Sequence, residues 1–356
     1  MRSTNAKDFC NLIIKSNWGF SSTMSRGRGM GGRTQILDKN QPATDGVGAK
    51  FNDSIIAANS SFLEAVDSGN RLRGVNYFFG LMALPGILMF YWLGTGGLFK
   101  FGEIPIIVYF LLLLAWVVTL PVIVAINILV RWDMFRKTHY PMRFNRRDRK
   151  VYAWSQDMGV VTMNWDDIQF YTSEATKSQD RRGMSREEIR GFVRDRNGNM
   201  LYHLVFFKYE GLKGMKGVLE IWELVRRYME EPDGHIQAYQ VDQRLLDLEG
   251  KRESFIHSLI QATQVLADSR AVQLIFAPMV MWAGTGRIIA KCTCRVPRWP
   301  EWVEEKCRID PNDPYVRNRH NERPLTAKEI LWPLFCFLLG WAEVLVILYF
   351  CFRGYF

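Results

Sequence analysis

The sequence predicts a membrane α-helical protein, a transmembrane hairpin plus a C-terminal span, that carries a cytoplasmic α+β domain. Three observations predict it. Val75–Leu98 runs 24 residues without a charge, Ile104–Val130 runs 27, and Ile330–Phe352 runs 23 with Glu343 as its single charge. A helix needs about 20 apolar residues to cross the hydrocarbon layer, and buried helices of soluble domains rarely stay apolar beyond about 14. Eight Lys/Arg against two Asp follow the second apolar run directly, between Arg131 and Lys150. Beyond them the pattern changes to short stretches of β-branched and aromatic residues separated by turn residues.

The chain of 356 residues has room for a membrane bundle and one soluble domain of about 150–200 residues. Its net charge of +10 could suggest nucleic acid, but the cations gather beside an apolar run, where the positive-inside rule puts them. The expected partners are therefore anionic lipid headgroups, and no nucleic acid. Arg71 and Arg73 precede the first run, and Arg317, Arg319, Arg323 and Lys328 precede the third. The turn Phe99–Glu103 carries only Lys100, offset by Glu103. Both termini of the hairpin thus belong in the cytoplasm and the C-terminus lies across the membrane, with Arg353 snorkelling at the interface. Six cysteines sit within a span, in the tail or in the reducing cytosol, so disulfides are not expected.

Residues 1–50, rich in Ser, Gly, Asn and Arg without a period, read as a disordered tail. Ile55, Ile56, Phe62, Leu63 and Val66 are spaced for a short amphipathic helix, so 51–74 reads as a pre-membrane segment leading into the 75–130 hairpin. Residues 131–235 then form the strand-rich domain. Strands are expected around Met142–Arg146, Arg149–Trp154, Val160–Met163 and Ile168–Tyr171, with a loop over Thr172–Arg186. A hairpin, Glu188–Asp195 and Met200–Lys208, turns at Arg196-Asn-Gly-Asn199. Gly217–Glu231 closes the domain as a helix stopped by Pro232. That order suits a pleckstrin-homology-like barrel and other small α+β folds alike. Residues 236–329 read as helical and irregular, with a helix over Gln237–Asp268. Ala271–Ala283 reads as an interfacial or buried helix, because exporting 291–328 would carry nine Lys/Arg across the membrane. The third span occupies 330–352.

Arg136-Lys-Thr-His-Tyr-Pro-Met-Arg-Phe-Asn-Arg146, Lys150-Val-Tyr152, Asn164-Trp-Asp-Asp167 and Trp222-Glu-Leu-Val-Arg-Arg-Tyr-Met-Glu-Glu231 resemble an uncharacterised proteobacterial family of inner-membrane proteins. The resemblance covers roughly 75–335. Asn164 stands where that family usually has proline. The resemblance implies a bacterial inner-membrane location and no catalytic residues. Members are often encoded beside type VI secretion effectors, which implies a self-protection or effector-accessory role and a toxin or effector as partner.

Chemistry-bearing patterns are few. Cys292-Thr-Cys294 with Cys307 and His320 lacks the Cys-x2-Cys knuckle of structural zinc sites, so no metal is expected. Gly27-Arg-Gly-Met-Gly-Gly32 neither follows a strand nor opens a helix, so it lacks the mechanics of a phosphate loop. The five histidines lie on unlike elements, with no nucleophile setting near them, and Asp166-Asp167 reads as a solvated turn. No cofactor and no enzyme activity are expected. Glu343 is costly at mid-span, about 2.5–3.5 kcal/mol, and is expected to be protonated or to hydrogen-bond Asn127 or Thr119. The basic strand block Arg143, Arg146, Arg147, Arg149 and Lys150 is the candidate surface for headgroups or a partner, at about 1 kcal/mol per contact near the membrane. The expected function is an inner-membrane immunity or accessory protein acting by binding and occlusion. A lipid-sensing scaffold is the alternative, and a transporter or channel component comes after it.

Overall fold

In the computed structural model, residues 34–44, 46–66, 70, 73–74, 87, 106–155, 158–175, 186–195, 200–209, 214–264 and 269–353 are described. The chain is of mixed α+β class and divides into two units. One is made of residues up to Asn70, His139–Lys251 and Pro297–Pro324; the other of Arg71–Thr138, Arg252–Val296 and Leu325–Phe356.

The first unit holds two antiparallel sheets. Strands β2 (Ile55–Ala58), β3 (Phe62–Val66), β4 (Pro141–Asn145), β5 (Lys150–Ser155) and β6 (Gly159–Asn164) lie in that order in one sheet. Strands β1 (Thr34–Leu37), β7 (Gln169–Ala175), β8 (Arg186–Arg194) and β9 (Met200–Tyr209) form the other. A 3-10 turn, Trp165–Asp167, carries the chain from one sheet to the next. Helix α1 (Ile106–Asp133) belongs to the second unit. Helix α2 (Met215–Glu230) sets Val218, Ile221, Trp222, Val225 and Tyr228 into the core, the helical spacing of one apolar stripe. There Trp222 meets Trp165 at 6.2 Å and Phe170 at 4.7 Å between ring centroids, and Phe144 stacks on Phe207 at 5.9 Å. Helix α3 (Gly234–Gln240) follows at once, and Gly234 lies so close to the end of α2 that a Cβ would stand 2.0 Å from the Arg227 carbonyl oxygen.

Three expectations change. Residues 51–74 do not make a helix: Ile55–Ala58 and Phe62–Val66 are strands, and all nine of their residues are buried. A strand covered on both faces shows no alternation, so its apolar run mimics a helical stripe. The segment 34–50 is not a disordered tail, since Thr34–Leu37 pairs with Phe170–Ser173 of β7; residues 1–33 lie outside the described residues. The strand β7 continues to Ala175, into the expected loop.

In the second unit α1 is a 28-residue helix with Pro121 inside. Helices α4 (Phe255–Gln264), α5 (Arg270–Ile275) and α6 (Ala277–Thr293) stand where helices over Gln237–Asp268 and Ala271–Ala283 were expected. After α7 (Glu301–Lys306) of the first unit comes α8 (Ala327–Phe352). Thr326 and Glu329 close its N-terminus in a reciprocal capping box. It packs on α6 at Gly340, where a Cβ would lie 2.3 Å from the Ala277 carbonyl oxygen. The Trp332 indole N–H donates to the Gln273 side-chain oxygen at 2.7 Å. Over Ala327–Phe350, 24 residues, α8 is long and apolar enough to cross a membrane, and 17% of that window is buried. The first expected span, Val75–Leu98, lies outside the described residues apart from Ile87.

Candidate functional site

The basic block sits on β4, β5 and the turn between them, and the structure commits most of it internally. Arg143 faces Glu64 directly across the β3–β4 register. Its Nε donates to Glu64 at 2.7 Å and its Nη1 to Glu304 at 3.0 Å. The guanidinium lies over Phe62 at 4.5 Å and Trp299 at 4.9 Å, and the Trp299 indole N–H donates to the second oxygen of Glu64 at 3.1 Å. Burial of such a pair is tolerable because every charged edge has a partner.

Arg146 donates to the carbonyls of Tyr228, Glu231 and Pro232, the free acceptors at the end of α2. Arg149, in left-handed backbone at φ 48°, forks onto Asp166 and also reaches Glu230 at 3.0 Å. Glu230 in turn accepts from the Trp165 indole at 2.5 Å. Lys39 donates to the carbonyls of Trp165 and Asp166 and lies 5.2 Å over the Trp165 ring. The hydrogen bonds that Arg149 donates hold the Asp166 carboxyl below the usual carboxylate range. These residues form a clamp that pins the β4–β5 turn to the end of α2 and to the inter-sheet turn. Arg143 is buried, and Arg146 and Arg149 are partly exposed but engaged within the chain. Arg147 is largely exposed and donates to the Lys306 carbonyl, and Lys150 is half-buried.

The β4–β5 turn, the inter-sheet turn and α2 all lie within residues 119–311, the span matched by the sequence model of DUF6708, while Lys39 lies outside it. The chain belongs to DUF6708, a family of unknown function. No curated protein and no solved structure matches it. Within this DUF6708 chain, Asn164 donates from its side-chain amide to Asp167 at 2.9 Å, closing the turn that Asp166 and Arg149 brace from the other side. Asp166-Asp167 is therefore a working part of the clamp as well as a solvated turn.

Two polar clusters escaped the sequence. On the four-stranded sheet, Tyr171 and Arg190 are direct register partners. The Tyr171 hydroxyl and His203 Nε2 are 2.8 Å apart, their rings parallel to within 6°, and Arg190 pairs with Glu188. Burial, then the charge of Arg190, pushes the His203 imidazole down to about 4. Burial raises the Tyr171 phenol against the opposing pull of Arg190. At neutral pH this cluster presents a neutral imidazole and a protonated phenol, groups suited to hydrogen-bonded recognition.

In the helical unit, Arg287 and Lys291 stand one turn apart on α6 and meet Glu253. Arg287 binds both its oxygens at 2.9 and 3.1 Å, and Lys291 lies 3.6 Å away while donating to the Thr138 carbonyl at 3.0 Å. Burial raises the Glu253 carboxyl, but the two cations outweigh it and the net shift is downward.

The remaining residues are placed as follows. Cys292 is exposed, Cys294 and Cys307 are buried thiols, and no metal-holding group of three His, Cys, Asp or Glu is found among the described residues. Burial pushes the Cys307 thiol up to about 11. Glu343 is partly exposed on α8 and forms no hydrogen bond or ion pair among the described residues, so the expected bond to Asn127 or Thr119 is not made. Asn127 is exposed on α1.

Proposed function

We propose that this DUF6708 protein is a membrane-anchored binding protein at the bacterial inner membrane. It serves as an immunity or accessory partner of a type VI secretion effector and acts by occlusion. One observation carries the anchoring: α8 leaves Leu331, Phe335, Leu338, Leu345, Ile347 and Phe350 exposed along its length. Such a stripe is unfavourable in water and costs nothing among lipid tails. The apolar helix α1, with exposed Phe110, Leu113, Val117 and Leu120, supports a second crossing, and Val75–Leu98 a third. The cation count places the N-terminus inside and the C-terminus outside.

Binding is favoured as the activity because the strand-rich unit spends its strongest charges on its own architecture and keeps a large folded surface on the cytoplasmic side. The effector assignment rests on the resemblance of the strand block and the α2 motif described above. Two measurements test the reading. The chain is expected in the membrane pellet after carbonate extraction, with cysteines at Lys100 and the C-terminus labelled from outside and one at Asn312 only after lysis. Co-expression with the product of a neighbouring effector gene is expected to restore growth. Failure of every neighbour to be neutralised removes the immunity assignment, and recovery in the supernatant removes the anchor.

A further inference from the structure

Among the described residues four strands form the edges of the two sheets, and three of them are protected. β1 is only four residues long. β2 is covered by its own chain: Ala58 and Arg317 exchange backbone hydrogen bonds of 2.9 and 2.7 Å, and the Leu246 N–H donates to the Ile55 carbonyl at 2.8 Å. β9 is bent by two register irregularities against β8 and carries Lys208. Short length, covering chain, bulges and charge are the means by which sheets avoid pairing edge to edge.

The strand β6 has none of them. It is six residues long, its register with β5 runs unbroken from Lys150↔Asn164 to Ser155↔Gly159, and Gly-Val-Val-Thr-Met-Asn contains neither charge nor proline. It is also held firmly. Val161 and Met163 sit in the main core, and Val160 packs on the opposite face beside Trp299 and Val303.

The hydrogen-bond alternation identifies what it offers. The Trp165 N–H donates to the Arg149 carbonyl at 2.9 Å, so Met163, Val161 and Gly159 also turn their backbone polar groups toward β5. Val160, Thr162 and Asn164 turn theirs outward. No described backbone group bonds them, and Thr162 and Asn164 are exposed.

We propose that β6 is a self-pairing edge, through which two copies of this chain join antiparallel about a two-fold axis at Thr162. The outward residues are complementary to themselves. With Thr162 on the axis, Val160 lies opposite Asn164 of the other copy, and the three positions exchange about six main-chain hydrogen bonds. Thr162 meets Thr162, a favourable cross-strand pair, and the strand carries no charge for the symmetry to set against itself. A paired edge alone buries less than stable interfaces in free solution need. Confinement of both copies to one bilayer supplies the effective concentration, and in this respect the pairing rests on the anchoring proposed above.

The test is disulfide trapping in native membranes with the full chain, the unsubstituted protein giving the background. Hydrogen-bonded antiparallel partners have Cα atoms about 5.5 Å apart, inside the range a disulfide spans. Thr162→Cys is therefore expected to shift under mild oxidant to twice the monomer mass, reversibly with reductant. The two copies of Val160→Cys would stand about 14 Å apart and give no product, whereas differently tagged Val160→Cys and Asn164→Cys chains give a mixed dimer. Thr162→Lys is expected to abolish trapping of that mixed pair. A folded, membrane-recovered Thr162→Cys chain that stays monomeric overturns the pairing and leaves the anchor standing, as does equal trapping at Val160→Cys and Thr162→Cys. Trapping in a chain found in the supernatant does the reverse.

Discussion

The two units place their large apolar side chains differently. In the strand-rich unit large aromatics go inside and the cations that remain near them are paired: Arg143 with Glu64, Arg149 with Asp166 and Glu230, Arg226 with Glu223. The helical unit also buries an ionic cluster but leaves long apolar side chains outside. The ionic cluster of Glu253, Arg287 and Lys291 is buried, while Phe110, Leu113, Leu338 and Ile347 face outward. The difference lies in the apolar residues: the strand-rich unit gathers its large ones in the core, whereas the helical unit leaves many exposed along α1 and α8.

Five perturbations break or sharpen this contrast. Arg143→Ala leaves Glu64 buried without its main partner and is expected to cost about 3–5 kcal/mol, read as a lowered urea midpoint while the chain still pellets with membranes. Replacing Glu64 and Arg143 together with methionine is expected to recover most of that loss.

Acid is the next lever. Because the folded His203 titrates at about 4 and an unfolded one near 6.5, the unfolded chain takes up the proton first as pH falls. Stability contributed by the neutral imidazole is complete above 6.5 and is lost toward pH 4, by at most about 3 kcal/mol. His203→Gln is expected to flatten that part of the stability–pH curve. Gly340→Val attacks the other unit: the new Cβ meets the Ala277 carbonyl, and overpacking of about 1–3 kcal/mol is expected as a lower melting temperature in detergent. The smallest effect belongs to Arg147→Ala, below about 0.5 kcal/mol. If this variant nonetheless abolishes binding to anionic liposomes, the lipid-sensing alternative regains ground.

How much of this was legible depends on where each element finds its partners. Met142–Met163 could be read as strands because turn residues break the apolar alternation at Asn145–Asp148, and α2 could be read from its stripe and Pro232. The strands β2 and β3 could not, because both their faces are covered and β4, the second partner of β3, lies far along the chain. For the same reason the basic block looked like a surface. Glu64, Glu230 and Glu304, which neutralise it, come from three distant stretches. The Tyr171–His203 contact needed two register relations across three strands, and no spacing in a linear sequence encodes those.

One feature of the connectivity bears on how the protein is made. The strand β3 ends at Val66 and its partner β4 begins at Pro141, while Trp299, Glu304 and Arg317, which complete the same unit, come later still. A ribosome must therefore deliver the intervening helical stretches before the sheet can close. The strand β3 waits for β4 until Asn145 is made, and a nascent chain halted before Pro297 still lacks Trp299, Glu304 and Arg317, leaving the edge of β2 and the Arg143–Glu64 pair uncovered to chaperones and proteases.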